Sequence, residues 1–286
     1  MTLTATWFRN RGSMDELVFA SDSRLSGGQR WDGCPKILTL PRSDALMSFA
    51  GETQAAYPMM LQLANSIAFY PPSQERRLDL AHLGGHSLRL FNQMRGLIDG
   101  PFAVGQTEPD PPRAVFLLGG YSWRYRAFFT WKLEFAEGEF RYRRVVRGRQ
   151  SERGWHFHFA GDTDAVELAR NRLFELLRAP GRERVQADGL DMEPFEVLRD
   201  VIREARFDSV GGPPQVAKVY RHLNTQFFAV EWQNVATIAG RPALSYEQAF
   251  IPRLDADRPD LQPRPPERLE EPLPGETEPT ADETVE

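Results

Sequence analysis

The sequence predicts an α+β fold. With 286 residues, 41% of them hydrophobic, the chain is long enough to bury one sizeable core, and nothing in it requires two domains. Apolar or alternating runs typical of strands occur in blocks, and these blocks are separated by pairs of longer helix-like segments. Strand blocks that alternate in this way with helix pairs are typical of an α+β architecture.

The first predicted element is a β-hairpin at the N-terminus. Residues 2–8 have a strand pattern, and the polar stretch after them contains Gly12. A turn near Gly12 would pair this strand with the apolar strand 17–20 and set Thr2 roughly opposite Asp22.

A second hairpin is predicted around the turn at residues 39–44. It folds Lys36 back against Ala50 and Gly51, where a helix over 52–67 begins. The two hairpins together are therefore expected to bring four chemical features into one place. These features are Thr2, Asp22, Lys36 and the Gly51 amide.

The remaining elements follow from proline positions, periodicity and turn residues. Asp162 or Thr163 is the expected N-cap of the helix that starts at Asp164. In chain order, the sequence predicts a proline turn at 70–72, a helix over 78–97, a polar loop over 104–113, strands over 114–119, 127–135, 139–146 and 155–160, helices over 164–177 and 194–206, a loop over 207–214, and strands over 215–220 and 226–232.

The C-terminal segment 253–286 is rich in proline and acidic residues. It holds eleven Asp or Glu residues and four Arg residues, a net charge of −7 within a chain whose total is −5. Such a segment cannot bury enough apolar surface to fold, so it is predicted to be a disordered tail after a single domain over 1–252. The domain itself is close to neutral, which gives no bulk attraction to nucleic acid or membrane.

Composition also bears on the compartment. The single cysteine, Cys34, excludes an internal disulfide and suits a reducing environment. The N-terminal residues show no signal-peptide pattern, and no apolar run approaches the length of a membrane span. A cytoplasmic protein without a membrane partner is therefore expected.

Four stretches in a fixed order resemble the β subunits of the proteasome and its bacterial relatives, which are N-terminal nucleophile (Ntn) hydrolases. They are Thr2, the ASDSR turn at 20–24, the Lys36 strand start, and the FAGET stretch at 49–53 before a helix. The order of predicted elements fits that family to about Trp232. The resemblance implies a four-layer αββα sandwich, a peptide or protein substrate, and homo-oligomers built as rings or stacked rings.

The four residue types suit nucleophilic catalysis by threonine. An N-terminal threonine carries its own base, because its α-amine has a pKa of about 7.7–8.0 and can take the hydroxyl proton. Lys36 would lower the pKa values of that amine and hydroxyl, Asp22 would hold Lys36, and the Gly51 amide would stabilise the oxyanion. Removal of Met1 is required. Thr4 is the competing nucleophile, but it would need removal of a longer peptide.

The resemblance also suggests supporting residues in the second half of the chain. The family places a serine in a glycine-rich turn before the third helix, whereas this chain has Gly161 followed by Asp162. A later acid and serine of the family resemble Asp208 and Ser209, although here the two residues are adjacent. The specificity pocket is expected to involve Phe49 and Thr53, and no cofactor or metal is called for.

Two other functional hypotheses come from different classes. In the first, the chain is a catalytically inactive scaffold of the same fold, and Thr2, Thr4 and Thr6 merely line one face of an edge strand. In the second, the basic stretch 141–149 binds nucleic acid. Glutamates at 134, 137 and 139 share the predicted hairpin with that stretch, which favours a salt-bridged surface instead.

Histidine and cysteine provide only weak signals. His156 and His158 share a strand face, and His82 and His86 lie one helical turn apart. Neither pair has further ligands nearby in the sequence, so packing or surface positions are favoured over a metal site. Cys34 has no local base and is expected to pack in the turn before Pro35.

Overall fold

A computed structural model describes residues 2–11, 14–98, 109–149, 154–181, 189–259 and 263–266. Its helices are α1 (Thr53–Ala68), α2 (Pro71–Gln74), α3 (Leu80–Arg95), α4 (Thr163–Arg178) and α5 (Glu193–Glu204), with a 3-10 turn at Ser245–Ala249. Its strands are β1 (Leu3–Arg11), β2 (Met14–Ser21), β3 (Arg24–Leu25), β4 (Trp31–Asp32), β5 (Ile37–Thr39), β6 (Ala45–Gly51), β7 (Ala114–Ser122), β8 (Ala127–Ala136), β9 (Glu139–Gly148), β10 (Phe157–Gly161), β11 (Gln215–Tyr220), β12 (Asn224–Trp232), β13 (Val235–Ile238), β14 (Arg241–Pro242) and β15 (Arg253–Asp255). The predicted α+β class is confirmed.

The strands form two large sheets and one small hairpin. The eight-stranded sheet has the order β10-β1-β2-β11-β12-β13-β14, with β15 pairing β12, and the five-stranded sheet has the order β5-β6-β7-β8-β9. All neighbours in both sheets are antiparallel except β12 and β15. The β3–β4 hairpin stands apart from both.

Three hydrophobic clusters join these elements. One lies between the eight-stranded sheet and helices α4 and α5, and a second lies between the five-stranded sheet and helices α1 and α3. The third contains Phe19 and Leu17 of β2 together with Leu46 of β6 and Leu117 of β7, so it joins the two sheets to each other. The central strands of each large sheet are therefore buried on both faces.

Side-chain periodicity explains how the helices pack. In α4 the buried residues recur every fourth position, which forms a single apolar stripe against the sheet; they are Ala165, Ala169, Leu173 and Leu177. The predicted cap is confirmed, since the Asp162 carboxylate accepts hydrogen bonds from the amides of Asp164 and Ala165.

The N-terminal hairpin turns where the sequence predicts, but its register differs by one residue. Thr4 pairs with Ser21 and Arg11 pairs with Met14, which places Leu3 rather than Thr2 opposite Asp22. Strand β1 is also not an edge strand, because β10 covers its other side. Its alternate threonines point into the space between the sheets, where the Thr6 hydroxyl lies 3.3 Å from that of Thr130 on β8.

The predicted start of the tail at residue 253 is wrong. Arg253–Asp255 forms strand β15, which pairs in parallel with β12. Leu254 and Ala256 are buried in the cluster that faces α5. Backbone pairing with β12 and the burial of two apolar side chains therefore dock this segment on the domain. Residues 267–286 lie outside the described residues.

The short elements escaped sequence-based prediction. Strands β3, β4, β13 and β14 have two to four residues each, too few to show a period. The proline turn at 70–72 begins a short helix, α2. Over the described ranges, no helix combines the length and apolar character that crossing a membrane requires.

Candidate active site

Lys36 occupies the centre of a buried polar cluster between the two sheets. It immediately precedes β5, and its side chain is completely buried. Its Nζ donates to Thr2 Oγ1 at 2.6 Å and to Asp22 Oδ1 at 2.9 Å. Burial lowers the pKa of the Lys36 ammonium, and the Asp22 carboxylate opposes that shift. The sequence-based prediction that Thr2, Asp22 and Lys36 converge therefore agrees with their positions.

Asp22 is held by backbone amides from three separate segments. Its Oδ1 accepts from the amide of Leu3 at 3.0 Å, and its Oδ2 accepts from the amides of Arg24 at 3.2 Å and Gly211 at 3.1 Å. With the Lys36 bond, the buried carboxylate has four hydrogen-bond donors. Such a carboxylate is fixed in position and stays a good partner for an ammonium group.

Thr2 is buried at the start of β1. Only 1% of its surface is exposed, and its carbonyl oxygen accepts from the Asp162 amide at 2.8 Å. The competing nucleophile, Thr4, points to a different partner: its hydroxyl lies 3.1 Å from Ser48 Oγ on β6. Of Thr2, Thr4 and Thr6, only Thr2 forms a hydrogen bond with the lysine among the described residues.

The loop between α5 and β11 separates the two predicted supporting residues. Ser209 Oγ donates to Asp162 Oδ2 at 3.0 Å, and the Asp162 amide donates to the Thr2 carbonyl. Asp162 therefore connects Ser209 to Thr2. Asp208 instead points outward, with 95% of its side chain exposed, and pairs with Arg30 at 2.8 Å. The prediction that Asp208 supports the site is therefore wrong in geometric terms, because neighbouring residues of this loop point in opposite directions.

Gly51 lies at the end of β6, two residues before the start of α1. Its φ is +110°, and a β-carbon there would lie 2.0 Å from the carbonyl oxygen of Arg113, so this strand end requires glycine. Within the described part of the chain, no hydrogen bond connects Gly51 to Thr2 or Lys36. Their strands are joined two residues earlier, at Phe49, whose amide donates to the Lys36 carbonyl at 3.1 Å.

An open cleft of about 650 Å³ lies beside Gly51. One wall is Gly51 and Thr53, and the other is Leu25 and Trp31 of the β3–β4 hairpin. Phe49 was also expected in this pocket, and that expectation is wrong. Strand alternation turns Phe49 toward α1, where it is fully buried and packs edge-on against Tyr57 at 5.2 Å.

Gln215 is the residue of this cluster that sequence reasoning missed. Its side-chain carbonyl accepts from the Lys36 amide at 3.0 Å, while its Nε2 donates to the carbonyls of Cys34 at 2.7 Å and Asp22 at 3.3 Å. It therefore ties the acid-bearing and lysine-bearing segments together. No local motif marks it, because its role arises from the pairing of β11 with β2.

The remaining candidates show ordinary structural roles. Cys34 is buried, and burial raises the pKa of its thiol, which is the opposite of what a nucleophile needs. Arg141 pairs with Glu137 at 2.5 Å and Glu139 at 3.1 Å, as expected for a salt-bridged surface. Among the described side chains, no group of three or more His, Cys, Asp or Glu residues could hold a metal ion.

Comparison with known proteins gives no assignment. No protein-family model matches the chain, and no curated protein matches it.

Proposed function

We propose that this chain is a proteasome-β-like Ntn hydrolase in which Thr2, once freed of Met1, attacks a peptide or amide carbonyl. One observation carries the proposal: the Lys36 ammonium lies between Thr2 Oγ1 at 2.6 Å and Asp22 Oδ1 at 2.9 Å, with all three side chains buried. A hydroxyl nucleophile beside a buried cation, which a carboxylate holds in place, suits covalent catalysis in which the threonine's own α-amine is the base.

The layer order supports the proposal. Each sheet packs helices on its outer face and the other sheet on its inner face. This is the arrangement expected of a four-layer αββα sandwich, and the lysine cluster lies between its two sheets. Family resemblance extends the proposal to homo-oligomeric rings or stacked rings, in a cytoplasmic setting that suits the single buried thiol of Cys34.

The proposed chemistry uses the chain's own groups. The free α-amine of Thr2 takes the hydroxyl proton as Oγ1 bonds to the substrate carbonyl carbon. Lys36 stabilises the developing charge on Oγ1, and Asp22 keeps the ammonium in place. The Gly51 amide is the proposed oxyanion donor. The α-ammonium then gives its proton to the leaving amine, and water hydrolyses the resulting ester to regenerate Thr2.

One observation favours an alternative, a catalytically inactive scaffold that serves in assembly. Thr2 is only 1% exposed, which restricts the access of a substrate to its hydroxyl. In that case the same Lys36 bonds simply satisfy a buried hydroxyl and carboxylate. The two proposals differ in whether Thr2 reacts.

The test is intact-mass spectrometry of the purified full chain before and after a threonine-directed β-lactone. Catalysis requires loss of Met1 and one adduct on Thr2, and Thr2→Ala should take no label. Thr4→Ala serves as the control, because Thr4 is an equally buried threonine of the same strand. A retained Met1, or a free Thr2 that stays unlabelled, supports the inactive scaffold.

A second pair of variants separates catalysis from folding. Lys36→Met should reduce the labelling rate by a factor of at least about 10². Lys218→Met is the matched control, since Lys218 is also a buried lysine paired with a carboxylate, at 2.8 Å from Glu16. Burial lowers the pKa of both lysines. Equal loss of labelling in the two variants would contradict a chemical role for Lys36.

A further inference from the structure

A second cavity lies at the open edge of the two sheets. It has a volume of about 460 Å³ and is bounded by β10, by the β8–β9 hairpin and by helix α4. Four nitrogen-bearing side chains line it, one or more from each of these elements. We call this the cationic pocket, defined by Lys132, Arg143, His158 and Arg170.

The charges of the cationic pocket are only partly balanced. Lys132 forms an ion pair with Glu134, and Arg143 lies 3.8 Å from the same carboxylate. Arg170 forms no ion pair with any described residue. The nearby Asp162 carboxylate is already used, because it caps α4 and accepts from Ser209. Three permanent cations thus face one shared carboxylate.

The pKa of His158 reflects this excess of positive charge. Burial lowers its pKa, and the charges of Lys132, Arg143 and Arg170 lower it further, to about 4, against a smaller opposing effect of Glu134. The imidazole is therefore neutral at pH 7 and can donate one hydrogen bond without adding charge. Cations held around a partly buried cavity attract an anion more strongly than cations dispersed on an open surface.

We propose that the cationic pocket binds an oxyanion, the phosphate or carboxylate group of a ligand. The volume admits a small organic molecule. Arg143 and Arg170 offer planar guanidinium groups suited to two-oxygen contacts, Lys132 adds a point charge, and His158 adds a neutral donor. The floor contributes apolar contacts from Val115 and Val166.

The pocket adjoins the lysine cluster through the backbone. Gly161, which lines the pocket, pairs with Leu3, and a β-carbon on it would lie 1.7 Å from the Thr2 carbonyl oxygen. On the opposite sheet, Val115 pairs with Ala50, the residue before Gly51. An anion bound here would therefore lie beside the N-terminal strand, but its binding does not depend on any reaction of Thr2.

Calorimetric titration of the full chain with inorganic phosphate, against a chloride solution of equal ionic strength, tests the proposal. We expect saturable binding that weakens as salt is added. Arg143→Gln and Arg170→Gln should each weaken it about tenfold, because each removes a charged donor. Both side chains are exposed, so both variants should fold.

Arg144→Gln is the matched control. Arg144 is the next residue of β9 and is also exposed, but it points to the other face of the sheet, where it lies over the Phe129 ring. It should leave phosphate binding within twofold. No binding above the chloride control, or an equal loss in all three variants, would overturn the proposal.

A histidine NMR titration supplies an independent readout. Bound phosphate should raise the pKa of His158, since it offsets the cations that lower it. A pKa of His158 that is the same with and without saturating phosphate would place the anion elsewhere and contradict the proposal.

Two peptides identify the source of the oxyanion. A short peptide with two glutamates should displace phosphate if the pocket accepts protein carboxylates, while its glutamine counterpart should not. Displacement assigns an acidic peptide as the ligand, and phosphate binding without displacement assigns a small free anion. Both outcomes support an oxyanion site, and the absence of phosphate binding excludes it.

Discussion

At the scale of single residues, the candidate site depends on how the buried charges of Lys36 and Asp22 are compensated. Burying a lysine is costly unless a carboxylate pairs with it and that carboxylate is in turn satisfied by further donors. Asp22 supplies the carboxylate, and three backbone amides supply the donors that Asp22 needs. The resulting cluster gives Lys36 a fixed position 2.6 Å from the Thr2 hydroxyl.

Gln215 leads to a prediction at this scale. Gln215→Leu keeps a similar volume but leaves the amide of Lys36 and the carbonyls of Cys34 and Asp22 without their partner. We expect the free energy of unfolding, measured by urea titration, to fall by about 3 kcal/mol, because each unpaired buried group costs about 1–3 kcal/mol.

Gln226→Leu is the control for this prediction. Gln226 is on the neighbouring strand β12, and among the described residues its side chain donates only to the carbonyl of Phe227. Its replacement should change the free energy of unfolding by less than about 1 kcal/mol. Similar losses in both variants would show that Gln215 has no special part in holding the lysine segment.

At the scale of elements, the site depends on how closely β10 approaches the N-terminus of β1. Gly161 ends β10 with φ at +137°, a conformation that favours glycine, and it leaves no space for a β-carbon beside the Thr2 carbonyl. The amide of the next residue, Asp162, then reaches the same carbonyl. The strand end and the helix cap thus fix the position of Thr2.

Replacing Gly161 with alanine tests this arrangement. We expect Gly161→Ala to lower the free energy of unfolding by at least about 3 kcal/mol, since it combines an unfavourable φ with a backbone clash at 1.7 Å. Gly138→Ala isolates the first effect: Gly138 has φ at +86° in the β8–β9 turn, with no atom within 4 Å of an added β-carbon. It should cost only about 1–2 kcal/mol. Equal costs in thermal or urea unfolding would argue against close packing at Thr2.

At the scale of the whole molecule, the beginning of the acidic C-terminal segment packs against the domain. Leu254 is 1% exposed, and the carbonyl of Ala256 accepts from Arg199 at 2.9 Å. Asp257 forms an ion pair with Arg203 of α5 at 2.6 Å. Residues after Pro252 therefore contribute to the core around α5.

Two truncated chains test this contribution. A chain that ends at Pro252 loses β15 and the buried Leu254, and we expect its free energy of unfolding to fall by about 2–5 kcal/mol. A chain that ends at Pro266 retains β15 and removes only the acidic, proline-rich remainder. It should unfold within about 0.5 kcal/mol of the full chain in urea. A stable chain ending at Pro252 would contradict a structural role for β15.

The positions of the long periodic segments could be predicted from the sequence. Helices α1, α3, α4 and α5 and strand β11 lie within two residues of their predicted bounds. The meeting of Thr2 with Asp22 was also predictable, because a hairpin places the ends of its two strands together. Lys36 was expected beside them from the order of motifs shared with the Ntn hydrolases, and it reaches them from the other sheet.

The sequence by itself determined the α+β class and the main elements, since these depend on local periodicity and short-range turns, and the order of its motifs pointed to Thr2, Asp22 and Lys36. Only the tertiary structure decided that Gln215 joins the cluster, that Ser209 turns inward while Asp208 turns outward, and that Lys132, Arg143, His158 and Arg170 surround one cavity. The physical reason is that these contacts join segments distant in the chain, whose meeting is set by strand pairing and sheet packing rather than by local sequence.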